Sequence, residues 1–200
     1  MTLPVVLNIA PHEKRQAEKL IRYIKELDGT EVITMKFDDP PGMRYPEVAN
    51  WAFKQCCKQM RGKPFIWIEA DCVILKKNWA KTLSEEYEMV GKEYLYADLP
   101  QTGFDRFTGI GVQSPNAYHH APDGYKTGGF DQFIVENYPQ LVGKTNLIQH
   151  IYGNYDANGQ VTLLQFPTNI DLIREDAVIF HKSQFGDLLK IKASEFGIAI

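Results

Sequence analysis

Two short segments far apart in the chain carry side chains that could do chemistry together. In Phe65-Ile66-Trp67-Ile68-Glu69-Ala70-Asp71-Cys72-Val73-Ile74-Leu75, an apolar run ends in two carboxylates spaced i and i+2. Extended backbone puts such a pair on one side of the chain, and two hard oxygen donors suit Mg²⁺ or Mn²⁺ better than zinc. Near the other end, Ala177-Val178-Ile179-Phe180 delivers His181 and Lys182 at its terminus. A histidine and an aspartate from separate strand ends can share one divalent ion, and a lysine beside them can offset the charge of a leaving phosphate. Taken singly, each piece has a plainer reading. Glu69 and Asp71 would also serve as a solvated strand end, His181 as a hydrogen-bonded surface residue and Lys182 as a solubilising charge.

A third carboxylate stands in Thr127-Gly128-Gly129-Phe130-Asp131-Gln132, where a glycine-containing loop meets an apolar helical pattern. Asp131 is placed to take a proton from a substrate hydroxyl, or equally to cap the helix. Thr108-Gly109-Ile110-Gly111-Val112 has the spacing of a partial glycine motif but lacks the third glycine and the helix of a dinucleotide fingerprint. His119 and His120 read as exposed loop histidines. Trp51, Trp67 and Trp79 read as core or core-edge residues.

The elements that must position these groups follow from hydrophobic periodicity. Pro4 to Ile9 is an apolar run of strand length. Ala17, Leu20, Ile21, Ile24 and Leu27 recur at helical spacing until Asp28-Gly29, and Val32 to Phe37 is a second strand. A loop at Asp38-Asp39-Pro40-Pro41-Gly42 precedes a helix with Val48, Ala52, Cys56 and Met60 on one face, and Phe65–Ile68 is a strand apolar on both sides. Three strand-helix units in succession predict an α/β fold, a mainly parallel sheet flanked by helices, and ligands of such sheets sit at the carboxyl ends of the strands. A helix near Trp79 to Val90 and a strand at Tyr94 to Ala97 follow. Gly103 to Gly129 is predicted as a long functional loop, with a helical rhythm from Phe133 to Ile151 interrupted by Pro139. Val161–Phe166 and Ala177–Phe180 are predicted as late strands.

Composition sets outer bounds. A chain of 200 residues, 44% hydrophobic, can bury roughly 70% of its unfolded surface within one domain. The net charge of −3 gives no general attraction to polyanions. The three cysteines, two of them adjacent, do not form a disulfide framework, and they point to a reducing cytoplasm. The N-terminus lacks the basic flank of a signal peptide, and no stretch has the apolar length of a membrane span.

Pro64 to Trp79 resembles the metal-binding segment of GT-A glycosyltransferases, whose Asp-x-Asp motif closes a strand before a turn and helix. Glu69 stands at the motif's first position and Asp71 at its last. Asn146-Leu147-Ile148-Gln149-His150-Ile151-Tyr152, followed about thirty residues later by Val178-Ile179-Phe180-His181-Lys182, is similar to the distal half of small bacteriophage and bacterial members.

That resemblance implies a single Rossmann-like GT-A domain over residues 1–200. Residues 1–98 would bind the nucleotide sugar, and 99–200 would supply the acceptor side and the distal metal ligand. It implies Mn²⁺ or Mg²⁺ held by Asp71, His181 and Glu69, and a nucleotide-sugar donor, UDP-linked by family expectation. The donor would lie against Ala10, Pro11, His12, Asn50, Glu69, Ala70, Asp71 and Lys182, with Arg15 and Asp38 as further contacts. Asp131 would be the base. The acceptor is a hydroxyl, on a glycan or small molecule or on a modified base of phage DNA; in the last case Lys54, Lys58, Arg61 and Lys63, or Lys76, Lys77 and Lys81, would meet the DNA backbone. A binding module without turnover is the other expectation, and a phage-encoded chain would act in the host cytoplasm.

Overall fold

The computed structural model describes residues 1–38, 40–97, 108–150, 154–155, 161–162, 166–168, 170–181 and 188–200. A six-stranded sheet is its frame. The strands are β1 (Val5–Asn8), β2 (Val32–Met35), β3 (Phe65–Ile68), β5 (Tyr94–Ala97), β6 (Gly111–Gln113) and β7 (Val142–Thr145), in the order β2-β1-β3-β6-β5-β7. The β1/β2, β1/β3 and β5/β7 pairs are parallel, and β6 runs antiparallel between β3 and β5. The fold is thus mixed α/β, with a mainly parallel sheet flanked by helices.

Helix α1 (Lys14–Asp28) buries Ala17, Leu20, Tyr23, Ile24 and Leu27 on one stripe and ends at Gly29, whose φ of 77° suits a left-handed cap. Tyr23 pins that helix to the short strand β4 (Val73–Ile74), its hydroxyl donating to the Ile74 carbonyl at 2.7 Å. Helix α2 (Glu47–Gln59) buries Asn50, Ala52, Phe53, Cys56 and Cys57, and α3 (Trp79–Val90) buries Trp79, Ala80, Leu83 and Ser84. Strands β3 and β5 are buried throughout, which explains their unbroken apolar sequences.

Where the sequence predicts one long loop, the structure places β6 and the short helix α4 (Ala117–His120). Gly111 enters the sheet at φ 139°, and a side chain there would collide with the Leu95 carbonyl oxygen of β5. The glycine marks a close backbone approach inside a sheet.

The helical rhythm predicted from Phe133 to Ile151 holds only over α5 (Phe130–Asn137). After Tyr138-Pro139 the chain makes a 3₁₀ turn and then forms β7 and β8 (Ile148–His150). Proline's missing N–H ends the helix, and apolar residues that share a helical spacing then alternate across strands instead. Of the late strands, β10 (Val161–Thr162) pairs with β9 (Asn154–Tyr155), and β11 (Ile179–His181) is the centre of a second sheet ordered β4-β11-β8. The chain closes with α6 (Leu188–Glu195). Among the described residues no helix is long and apolar enough to cross a membrane.

Candidate active site

The second sheet joins the two distant segments. Strand β4 pairs antiparallel with β11 in the register Phe180↔Val73 and Ile179↔Ile74. One step further along that register sets His181 opposite Cys72, beside the turn that carries Glu69 and Asp71. The His181 Nε2 lies 3.1 Å from Glu69 Oε2 and 3.4 Å from Asp71 Oδ1. All three residues offer ligand atoms within 4.8 Å of one another. Cys72 secures the turn: its sulfur accepts from the Glu69 N–H at 3.4 Å, and its own N–H donates to the Glu69 carbonyl.

Asp71 and His181 are buried, at 8% and 4% exposure, while Glu69 is half-buried. Burial alone would push the His181 imidazole below its ordinary range, yet hydrogen bonds and charge from Asp71 and Glu69 push it up to about 9. The two carboxylates thus favour a positive charge between them. Its Nδ1 has no hydrogen-bond partner among the described residues. The His150 ring, on the neighbouring strand β8, packs edge-on against His181 at 4.9 Å between centroids. Two carboxylate oxygens and one imidazole converging on a single point fit a divalent cation such as Mn²⁺ or Mg²⁺, with open positions left for oxygens of a ligand.

A cavity of about 320 Å³ lies beside this cluster, at the carboxyl ends of β1 and β3. Asn8, Ile9, Ala10, His12 and Glu13 form one wall, Val48, Ala49 and Ala52 of α2 a second, and Trp67, Glu69 and Phe130 the floor. Phe37 and the largely exposed Tyr45 stand at its edge. Ala10, His12 and Glu69 thus share one pocket. Pro11 is exposed on the 3₁₀ turn Pro11–Glu13, Ala70 is buried behind the acidic turn, and the exposed Arg15 and Asp38 do not line the cavity.

Asn50 faces elsewhere. Its Nδ2 donates to the carbonyls of Tyr125 at 3.0 Å and Gly128 at 3.1 Å, so its described contacts anchor the loop before α5. Lys182 lies outside the described residues.

Asp131 sits in the first turn of α5, and Gly129, not Asp131, holds the cap position. Its Oδ2 accepts from the Gly109 N–H and its Oδ1 from the Gln132 N–H, both at 2.9 Å. Burial, with a further contribution from the Glu69 charge, pushes its carboxyl up to about 6, against the two N–H bonds that favour ionisation. The turn is held in place by aromatic packing. Phe130 stacks on Phe53 with centroids 3.6 Å apart and meets Trp67 edge-on at 5.7 Å.

Three contributors escape a reading of motifs. Glu13 faces the cavity and is raised above the usual carboxylate range by burial and then by the charges of Glu69 and Asp71. Trp67, whose Nε1 lacks a partner among the described residues, and Phe130 supply the apolar floor. Glu13's position one residue past the loop that follows β1 was the available signal for it; nothing in the sequence brings Phe130 next to Trp67.

No protein-family model matches the sequence, and no curated protein does so. Solved structures do match. A glycosyltransferase involved in glycosylation of the major capsid of PBCV-1 superposes with a TM-score of 0.58 at 12% identity, covering 98% of this chain and 99% of its own. The apo-form glycosyltransferase GlyE of Streptococcus pneumoniae gives 0.63 at 10% identity, over 100% of this chain and 61% of GlyE. The bifunctional glycosyltransferase WbbM gives 0.57 at 12% identity, over 98% of this chain and 49% of WbbM. At these identities the likeness is one of architecture: the chain shares the α/β architecture of these glycosyltransferases, and Glu69 of the Glu69, Asp71, His181 cluster lines its cleft.

Proposed function

We propose that this protein is a metal-dependent glycosyltransferase of the GT-A type that moves a sugar from a nucleoside-diphosphate sugar, UDP-linked, to an acceptor hydroxyl. The observation that carries the reading is the convergence of Glu69, Asp71 and His181, from segments more than one hundred residues apart, beside a cavity of nucleotide size in a glycosyltransferase fold.

A divalent ion, Mn²⁺ or Mg²⁺, held by these three side chains would supply Lewis-acid neutralisation of the charge that develops on the leaving diphosphate. The chain's own groups do the rest. Ala10, His12 and Glu13 border the nucleoside, and Phe130 and Trp67 keep the floor dry. Lys182, next in sequence to His181, adds positive charge on the diphosphate side. Asp131 accepts the acceptor's proton; a carboxyl held near 6 is a better base at neutral pH than an ordinary aspartate while still ionised there.

Such a donor and such a cluster suit a cytoplasmic enzyme. For the acceptor, a glycan or small molecule fits the surface better than modified DNA. Of the four cations on and just after α2 that would meet DNA, Lys54 is paired with Asp123 and, with Arg61, lies over the Tyr118 ring, so two of the four are engaged within the protein. A bacteriophage origin would put the reaction in the host cytoplasm, and duplex binding that weakens steeply with salt would restore DNA as the acceptor.

Thermal unfolding with nucleoside diphosphates, with and without Mn²⁺, on the wild type and on Asp71→Ala tests the reading. The expected result is a Mn²⁺-dependent rise in Tm with UDP that the variant loses, together with Mn²⁺-dependent release of UDP from a UDP-sugar in the presence of acceptor. The absence of any nucleotide shift would overturn the transferase reading and favour a module that uses the fold without turnover.

A further inference from the structure

A second cavity, of about 360 Å³, opens on the other face of α2 from the cleft. We propose that it binds a neutral saccharide unit. The proposal goes beyond the transferase reading, because it concerns a site that shares no lining residue with the nucleotide cavity.

Three aromatic side chains, Trp51, Tyr118 and Tyr125, line it together with the amides Gln55 and Asn50. Aromatic faces next to amide groups are what a hydroxyl-rich ring recognises: its C–H face packs on the rings, and its hydroxyls exchange hydrogen bonds with the amides. Asn50 is the most informative of these. It is 2% exposed, its Nδ2 is committed to the Tyr125 and Gly128 carbonyls, and its Oδ1 has no hydrogen-bond partner among the described residues. A buried carbonyl oxygen without a donor costs free energy, and a ligand hydroxyl would supply that donor.

Charge decides against an anion. Lys54 is ion-paired with Asp123, and Glu47 lies 3.2 Å from the Lys126 ammonium. The cavity's lining holds no lysine or arginine other than Lys54. A phosphate or carboxylate would have to break an existing pair, whereas a neutral sugar leaves both in place. The loop that Asn50 anchors runs directly into Phe130 and Asp131, so this cavity is tied through one short segment to the floor of the cleft.

Titration calorimetry and saturation-transfer NMR on the full chain, with methyl glycosides and disaccharides of glucose, galactose and mannose, test the site. One of these probes is expected to bind in the millimolar range and to stay bound with saturating UDP and Mn²⁺ present. Tyr118→Ala and Gln55→Ala should each weaken it by about tenfold or more, while inorganic phosphate does not compete. Both variants should keep the Mn²⁺-dependent UDP shift, which separates this site from the transferase reading. Failure of the whole panel to bind, competition by UDP with Mn²⁺, competition by phosphate, or affinity unchanged in both variants would each overturn the proposal.

Discussion

Replacing Asp131 by Asn separates the stability of the cleft from its chemistry. In the native protein this carboxyl is raised from its ordinary 3.8 to about 6. A group held above its unfolded value contributes its full share of stability only below pH 3.8 and loses it as pH rises through 6. The loss amounts to about 3 kcal/mol by pH 8, at roughly 1.4 kcal/mol per pH unit between the two values. Asparagine resembles the neutral acid and escapes that cost. Its NH₂, however, cannot accept from the Gly109 N–H that Oδ2 now receives at 2.9 Å, which gives back about 1–2 kcal/mol.

The order of stabilities should therefore reverse with pH. Asp131→Asn is less stable than the wild type by about 1–2 kcal/mol at pH 4 and more stable by about 1–2 kcal/mol at pH 8. Urea unfolding in the presence of EDTA at both pH values reads the difference from the midpoints. Sugar transfer by the variant at pH 8 should fall by about a hundredfold or more if Asp131 is the base. A wild-type minus variant difference that is flat from pH 4 to 8 would refute the electrostatic account, and undiminished transfer would refute the base assignment.

Tyr23→Phe leaves the Ile74 carbonyl without its buried donor and should lower stability by about 1–2 kcal/mol, a fall of roughly 2–8 °C in Tm, with nucleotide affinity unchanged. Gly111→Ala forces a side chain against the Leu95 carbonyl oxygen at a φ of 139°, so amide exchange in β5 and β6 should accelerate well beyond that in β1 and β2. Cys56 and Cys57 are buried and burial pushes both thiols upward, Cys56 to about 12; neither should react with a thiol reagent at pH 7.5 until the protein is unfolded in urea.

The sequence alone determined several of the local elements and picked out the side chains of the candidate metal cluster. A strand apolar on both faces that ends in Glu69-Ala70-Asp71 reads as a buried parallel strand opening into a site, because burial leaves no polar residue until the chain reaches the sheet's edge. His181 was legible for the same reason at the end of Ile179–Phe180. Helices α1 and α3 followed from spacings that only one amphipathic face explains.

The tertiary structure decided what depends on pairing between distant segments. Apolar residues from Val142 to Ile148 satisfy a helical and an alternating pattern alike, and only the neighbours that hydrogen-bond to β7 and β8 make them strands. Gly111 looks like a loop residue until β3 and β5 close on either side of it. Asn50 sits on the predicted helix, but the Tyr125 and Gly128 carbonyls, more than seventy residues away, decide which way its amide points. The candidate metal cluster has this dual origin: each of its side chains ends an apolar run legible in the sequence, while the 3.1 and 3.4 Å separations exist because backbone hydrogen bonds between β4 and β11 put residue 180 opposite residue 73. Register is a property of two strands, and no spacing within one of them contains it.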